Sequence, residues 1–157
     1  AIKGLCHTET LLIGPEKYNS LYEKIGNLNR LLAWAHAKVI GNLLAVETSE
    51  PIEWVLIDRF APENTMLKAL GDTTQDVRLD QWPKAESDPA VAAASILARG
   101  AFLRGLSGLS KRFAVNLSPG AGAPVLTSGR RFIESHGTAA LRQVAKVHFA
   151  TTGQIGG

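Results

Sequence analysis

Trp54-Val55-Leu56-Ile57-Asp58 is an unbroken apolar run of strand length that ends in a carboxylate. Apolar runs without alternation suit strands covered on both faces, as in parallel sheets flanked by helices. Upstream, from Tyr18 to Val46, apolar residues fall at Leu21, Ile25, Leu28, Leu32, Ala35, Val39 and Leu43. Their spacing of three and four predicts one long helix with a continuous apolar face, bent at Gly26. Downstream, residues 63 to 70 predict a short helix stopped by Gly71, and Asp76-Val77-Arg78-Leu79 a second short strand. Asp88-Pro89 then opens a helix, an N-capping side chain followed by proline at the first helical position, which runs to about Leu109. Strand, helix, strand, helix is an α/β rhythm.

The ends are less sharply written. Leu11-Leu12-Ile13 before Gly14-Pro15 predicts a strand closed by a turn, and Ser49-Glu50-Pro51 predicts a turn. Ser118 to Pro124 is a loop by composition, Val125 to Ser135 and Thr138 to Val147 are expected to be terminal helices, and Gly153 to Gly157 a frayed tail.

A chain of 157 residues is long enough for one sizeable core and short for two, so a single domain over residues 1–157 is expected. The net charge of +3 is compatible with a polyanionic partner but arises easily without one. One cysteine, Cys6, rules out an internal disulfide and a CxxC metal site, which points to a reducing compartment and a cytoplasmic location. The segment Leu31 to Val46, interrupted by His36, Lys38 and Asn42, is an amphipathic helix, and no membrane partner is expected. The start, Ala1-Ile2-Lys3-Gly4, lacks the pattern of a secretory signal, and without an initiator methionine it suggests a piece of something longer.

The residues most able to carry chemistry are carboxylates. Open α/β sheets bind ligands beyond the carboxyl ends of their strands, where Asp58 would lie. Glu86 and Asp88 precede the next helix, and either one could converge on Asp58 if the second strand runs beside the first. Such oxygen ligands suit Mg2+ or Mn2+, which serve phosphodiester hydrolysis. Each residue also has a plainer role, as turn residue, solvated loop residue or N-cap. Lys84, Arg99, Lys146 and His148 are candidates for phosphate contacts, though isolated charges are more often simply solvated. His36 fits a satisfied, partly buried histidine, and Cys6 a small side chain rather than a nucleophile. No P-loop, GxGxxG, HExxH or GxSxG pattern occurs.

Several stretches together resemble one family. Tyr18-Asn19-Ser20-Leu21-Tyr22, with Asn27-Leu28-Asn29-Arg30-Leu31-Leu32-Ala33 and His36, resembles the YNxLY…NLNxLLAxxH helix of ribonuclease HIII, a type 2 ribonuclease H. Ile57-Asp58-Arg59-Phe60 resembles its IDQF motif, with Arg59 in place of glutamine. Lys84-Ala85-Glu86-Ser87 followed by Val91 to Arg99 resembles KAES…VAAASIIAR, and Ala145 to Phe149 resembles AKLHF. The likeness runs in order over about residues 17 to 152.

This resemblance implies a ribonuclease H-like fold, here with an incomplete central sheet flanked by helices and a helical C-terminal region. It implies divalent-metal cleavage of the RNA strand of RNA/DNA hybrids, leaving 3'-hydroxyl and 5'-phosphate ends. The family uses four carboxylates. Two stand in an early DEVG-type segment with no counterpart in these residues; Asp58 carries over as the third, and the fourth maps to Asp88 or Glu86, with Asp88 slightly ahead. Ser95 joins Lys84, Arg99, Lys146 and His148 as an expected nucleic-acid contact. The family's LPKGAG loop appears as Leu117-Ser118-Pro119-Gly120-Ala121-Gly122, without its lysine. Lacking the first strands, the chain is expected to associate with itself or to be completed by the missing N-terminal segment in trans. A non-catalytic hybrid-binding or assembly module is the alternative.

Overall fold

The computed structural model describes residues 4–48, 51–71 and 77–156. The start at Ala1, the Ser49-Glu50 turn, the Asp76 end of the second expected strand and the last residue of the tail therefore lie outside the described residues. The backbone forms two compact units, one of residues 1–11 and 25–99, the other of residues 12–24 and 100–157.

In the first unit, the expected long helix is two helices, α1 (Pro15–Ile25, which belongs to the second unit up to Lys24) and α2 (Leu28–Leu44). The break follows from Gly26 at φ +67, a conformation that ends a helix, and from Asn27, whose side chain accepts the Arg30 amide at 3.0 Å and starts a new one. The buried stripe of α2 is also displaced by about one residue from the expected one. Ala33, Ala37, Ile40 and Leu44 face the core, where Leu32, Ala35, Val39 and Leu43 were expected to.

That core is closed by β1 (Trp54–Asp58), α3 (Glu63–Leu70) and β2 (Arg78–Trp82). Ala33, Ile40, Ile57, Met66 and Leu70 are its buried residues, with Val55 and Leu79 packed on them. A fully buried side chain such as Met66 contributes about 1.5–3 kcal/mol. β1 and β2 are parallel, with Trp54 opposite Arg78 and Asp58 opposite Trp82. Side chains alternate along a strand, so Val55, Ile57 and Leu79 take the core face while Trp54, Asp58 and Trp82 take the other. The strand was expected to be covered on both faces; instead Trp54 and Trp82 are 42% and 43% exposed. β2 also begins and ends later than expected, at Arg78 and Trp82. Leu11 to Ile13 form no strand.

After a short 3-10 turn, Ala85–Ser87, α4 (Pro89–Phe113) runs four residues beyond its expected end. It is the one helix among the described residues long and apolar enough to cross a membrane, so that question turns on α4 rather than on residues 31 to 46. A helix that packs on a sheet can have the same composition.

The second unit contains α5 (Ala123–His136), a 3-10 segment (Thr138–Gln143) where a helix to Val147 was expected, and α6 (Ala150–Gly156) where a frayed tail was expected. Packing explains α6. Ile155 is buried against Gly129 of α5, where an added Cβ would lie 2.6 Å from Ile155 Cδ1. Phe132 is fully buried, and Phe113 and His136 stand against its ring.

Candidate active site

Asp58 ends β1 at the carboxyl end of the two parallel strands, with its side chain exposed. The chain leaves β2 at Trp82 and turns through Lys84, a non-glycine residue in the left-handed region at φ 57 and ψ 43. That conformation costs roughly 1–2 kcal/mol. It directs the Ala85 amide back onto Asp58 Oδ1 at 3.1 Å. Asp58 Oδ2 has no protein partner among the described residues. Glu86, exposed, is one residue beyond the amide that holds Asp58.

Asp88 is engaged differently. It is half-buried, and its Oδ1 accepts the Ala90 amide at 2.8 Å and the Val91 amide at 3.4 Å. It caps α4, as its position before proline predicts. Ser95 and Arg99 follow Asp88 at seven and eleven residues, a spacing that keeps all three on one face of the helix. Lys84, Ser95 and Arg99 are exposed.

These donors are of the right kind for a hard divalent cation, since all are carboxylate oxygens. Their number falls short. Among the described residues, no three His, Cys, Asp or Glu side chains gather into a set that could hold a metal ion. A cleft whose lining does not include Asp58 is formed by Arg59, Pro62, Glu63, Asp80, Gln81 and Trp82. Both amide atoms of Gln81 are buried without a partner, and Arg59 Nη2 donates to the Gln81 carbonyl at 3.1 Å. Nothing in the spacing of the sequence distinguished Gln81.

Lys146 and His148 belong to the other unit. The first and last motifs noted in the sequence meet there through a residue that the sequence did not single out for a role. Asn19, 2% exposed, donates to the Arg142 carbonyl at 3.1 Å and the Ala145 carbonyl at 2.9 Å, and accepts the Val147 amide at 3.1 Å. The His148 ring stacks on Tyr22 at 3.7 Å between centroids, and Lys146 Nζ sits 4.4 Å over the Tyr18 ring. Tyr18 Oη and His148 Nδ1 are buried without partners. Burial, and then the neighbouring Tyr22, raise the Tyr18 pKa above its ordinary value. Burial lowers that of Lys146. Burial, and then the Lys146 ammonium, lower that of His148 below 6.5.

A stability prediction follows for His148. With its folded pKa depressed, the unfolded chain binds more protons as pH falls through the ordinary imidazole range. Stability contributed by neutral His148 is present above about pH 6.5 and is lost below it. The melting temperature measured from pH 7.5 down to 5 is expected to decline, and His148→Gln to flatten that decline. An unchanged slope in the variant would contradict it.

As for His36, its Nδ1 lies 2.9 Å from the Leu32 carbonyl and its ring stacks on Phe60, as expected of a satisfied, partly buried histidine.

A sequence model of ribonuclease HII matches residues 1–152. Ribonuclease HIII of Chlamydia pneumoniae is 44% identical over 98% of this chain and 51% of its own length. Ribonuclease HIII of Protochlamydia amoebophila is 42% identical over 98% of this chain and 50% of its own. A crystal structure of Bst-RNase HIII in complex with Mn2+ superposes with a TM-score of 0.82 at 32% identity, covering 92% of this chain and 48% of that one. The chain thus spans about half the length of the relatives it matches. That likeness gives the α/β arrangement its name, a ribonuclease H-like fold, and the match over residues 1–152 places this chain in the ribonuclease HII family.

Proposed function

We propose that the chain is the carboxylate-and-helix half of a ribonuclease HIII-type endonuclease, which hydrolyses the RNA strand of RNA/DNA hybrids with Mg2+ or Mn2+. The observation that supports this is the Ala85 amide on Asp58 Oδ1, which holds the turn preceding Glu86 against a strand-end aspartate in a chain of this family. Both units are assigned to one catalytic domain, since the family match over residues 1–152 includes parts of both.

Asp58 and Glu86 are the proposed metal ligands. Asp88 is the rival of Glu86, but one of its oxygens is already committed to the start of α4. Asp58 and Glu86 would hold the cation, which when bound would supply activation of water and stabilisation of the leaving oxygen of a phosphodiester. Lys84, Ser95 and Arg99 are proposed to meet the hybrid backbone beside the carboxylates, because cations and hydroxyls neutralise and bond phosphate oxygens. Lys146 and His148 are proposed to do so in the other unit. A DEVG-type segment supplies the remaining two carboxylates, either from further polypeptide in the same protein or in trans. A cytoplasmic location is proposed on the same ground as before, the single cysteine.

Two carboxylates do not fix or neutralise a two-metal site, so this chain alone is expected to leave an RNA/DNA hybrid intact in Mg2+ or Mn2+. Hydrolysis is expected on adding the complementary half of the Chlamydia pneumoniae relative. Robust turnover by the chain alone, abolished by Asp58→Asn, would refute the need for that half, and no turnover in the mixture would refute the proposed activity.

A further inference from the structure

The face of the β1–β2 sheet turned away from the core is unusual for a parallel sheet, which is ordinarily covered on both sides. It presents Trp54 and Trp82, tilted against one another with ring centroids 5.5 Å apart and each more than two-fifths exposed. Asp58 lies on that same face, directly opposite Trp82. Beside Trp54 one charge pair is closed: Arg78 lies 5.8 Å over the Trp54 ring and pairs with Asp80 at 2.6 Å, while Asp80 also accepts the Trp54 indole N–H at 3.0 Å. Arg78 is paired with Asp80, and Arg59, which borders Trp82, donates to the Gln81 carbonyl, so what the patch chiefly offers is aromatic surface. It offers an apolar protein surface two large, preorganised aromatic side chains, the type that dominates interfaces.

Relatives carry about as much polypeptide again as this chain matches. We infer that the Trp54–Trp82 face is the docking surface for that complementary half, and that covering it is the same event that brings the remaining carboxylates to Asp58. This rests on the proposed function for the identity of the occupant, and on the sheet geometry for the place. A segment seated on Trp54 and Trp82 lies against Asp58, because the three side chains share one face. Docking and completion of the site are coupled in consequence.

Tryptophan emission tests it. In a Trp34→Phe background, and with any tryptophan of the added half replaced by phenylalanine, only Trp54 and Trp82 report. Adding the recombinant complementary half of the Chlamydia pneumoniae relative is expected to shift emission to the blue. Trp54→Ala is expected to weaken capture about tenfold or more, as for a central aromatic anchor, while the conservative Trp54→Phe largely retains it; circular dichroism checks that each variant is folded. No shift on addition of the half overturns the inference. So does a shift that the chain alone shows with rising concentration, which would assign the face to a second copy, or one that the RNA/DNA hybrid alone produces. Hybrid hydrolysis, followed in the same mixture, separates the two proposals. Hydrolysis without a shift sinks the docking face only, and a shift without hydrolysis sinks the nuclease only.

Discussion

Asp58→Asn is expected to lower hybrid hydrolysis by the completed enzyme at least about 100-fold, because even side chains that only orient a ligand cost 10–100-fold when removed, and to leave the fold unchanged. Asparagine has nearly the same shape and keeps an Oδ1 that can accept the Ala85 amide, now at 3.1 Å. What it loses is the negative charge and the second carboxylate oxygen, the hard donors that a divalent cation favours. Asp58→Ala would remove the amide's partner as well and loosen the turn through Lys84, so a loss of rate in that variant would mix two causes. The companion pair decides the fourth carboxylate. Asparagine caps a helix as well as aspartate does, so Asp88→Asn preserves the Ala90 and Val91 bonds. If Glu86 is the ligand, Glu86→Gln falls with Asp58→Asn, and Asp88→Asn stays within a few-fold of the unaltered chain. Initial rates on a defined hybrid, with melting curves for each variant, read all three. Full activity in Asp58→Asn would remove the basis of the proposed chemistry.

The elements that position this site were those whose local signals agree with their burial. Trp54 to Asp58 reads as a strand because its apolar run is uninterrupted, and Asp88-Pro89 reads as a helix start because capping is a local interaction. Gly26-Asn27 carried a break signal of the same local kind, and it ends one helix and caps the next rather than bending a single helix. Tertiary effects were beyond that reach. α6 exists because Ile155 has Gly129 to pack on, although Gly153 and Gly156 weaken the helix locally. Leu11 to Ile13 had the composition of a strand but pair with no strand among the described residues. The motif resemblance marked which stretches matter without saying how they meet. Asn19 joins the first motif to the last through three hydrogen bonds to backbone more than 120 residues away, a distance at which no periodicity carries information. Likewise, the left-handed Lys84 that aims Ala85 at Asp58 has no marker in its residue type, since lysine rarely adopts that conformation.

Phe132→Ala is expected to be the most destabilising single truncation in the second unit, by about 3–5 kcal/mol. The ring is 0% exposed and is one of the three largest fully buried side chains. It meets the Phe113 ring edge-on at 5.3 Å and the His136 ring at 4.8 Å. Its removal therefore forfeits aromatic contacts as well as area, and pairs of this kind add about 0.5–1.5 kcal/mol beyond burial. Collapse cannot readily close the resulting cavity. Phe113 ends α4, and His136 is tied to the Phe113 carbonyl through Nε2 at 2.8 Å, so neither ring moves inward without breaking a backbone contact. For a chain of this size the loss corresponds to a fall in melting temperature of roughly 6–20 °C. Phe132→Leu keeps most of the volume and should cost well under half as much. Scanning calorimetry of the two variants measures the difference. A fall of only a degree or two in Phe132→Ala would mean that α4 and α5 are not held together at this ring, and that the packing of the second unit has to be sought elsewhere.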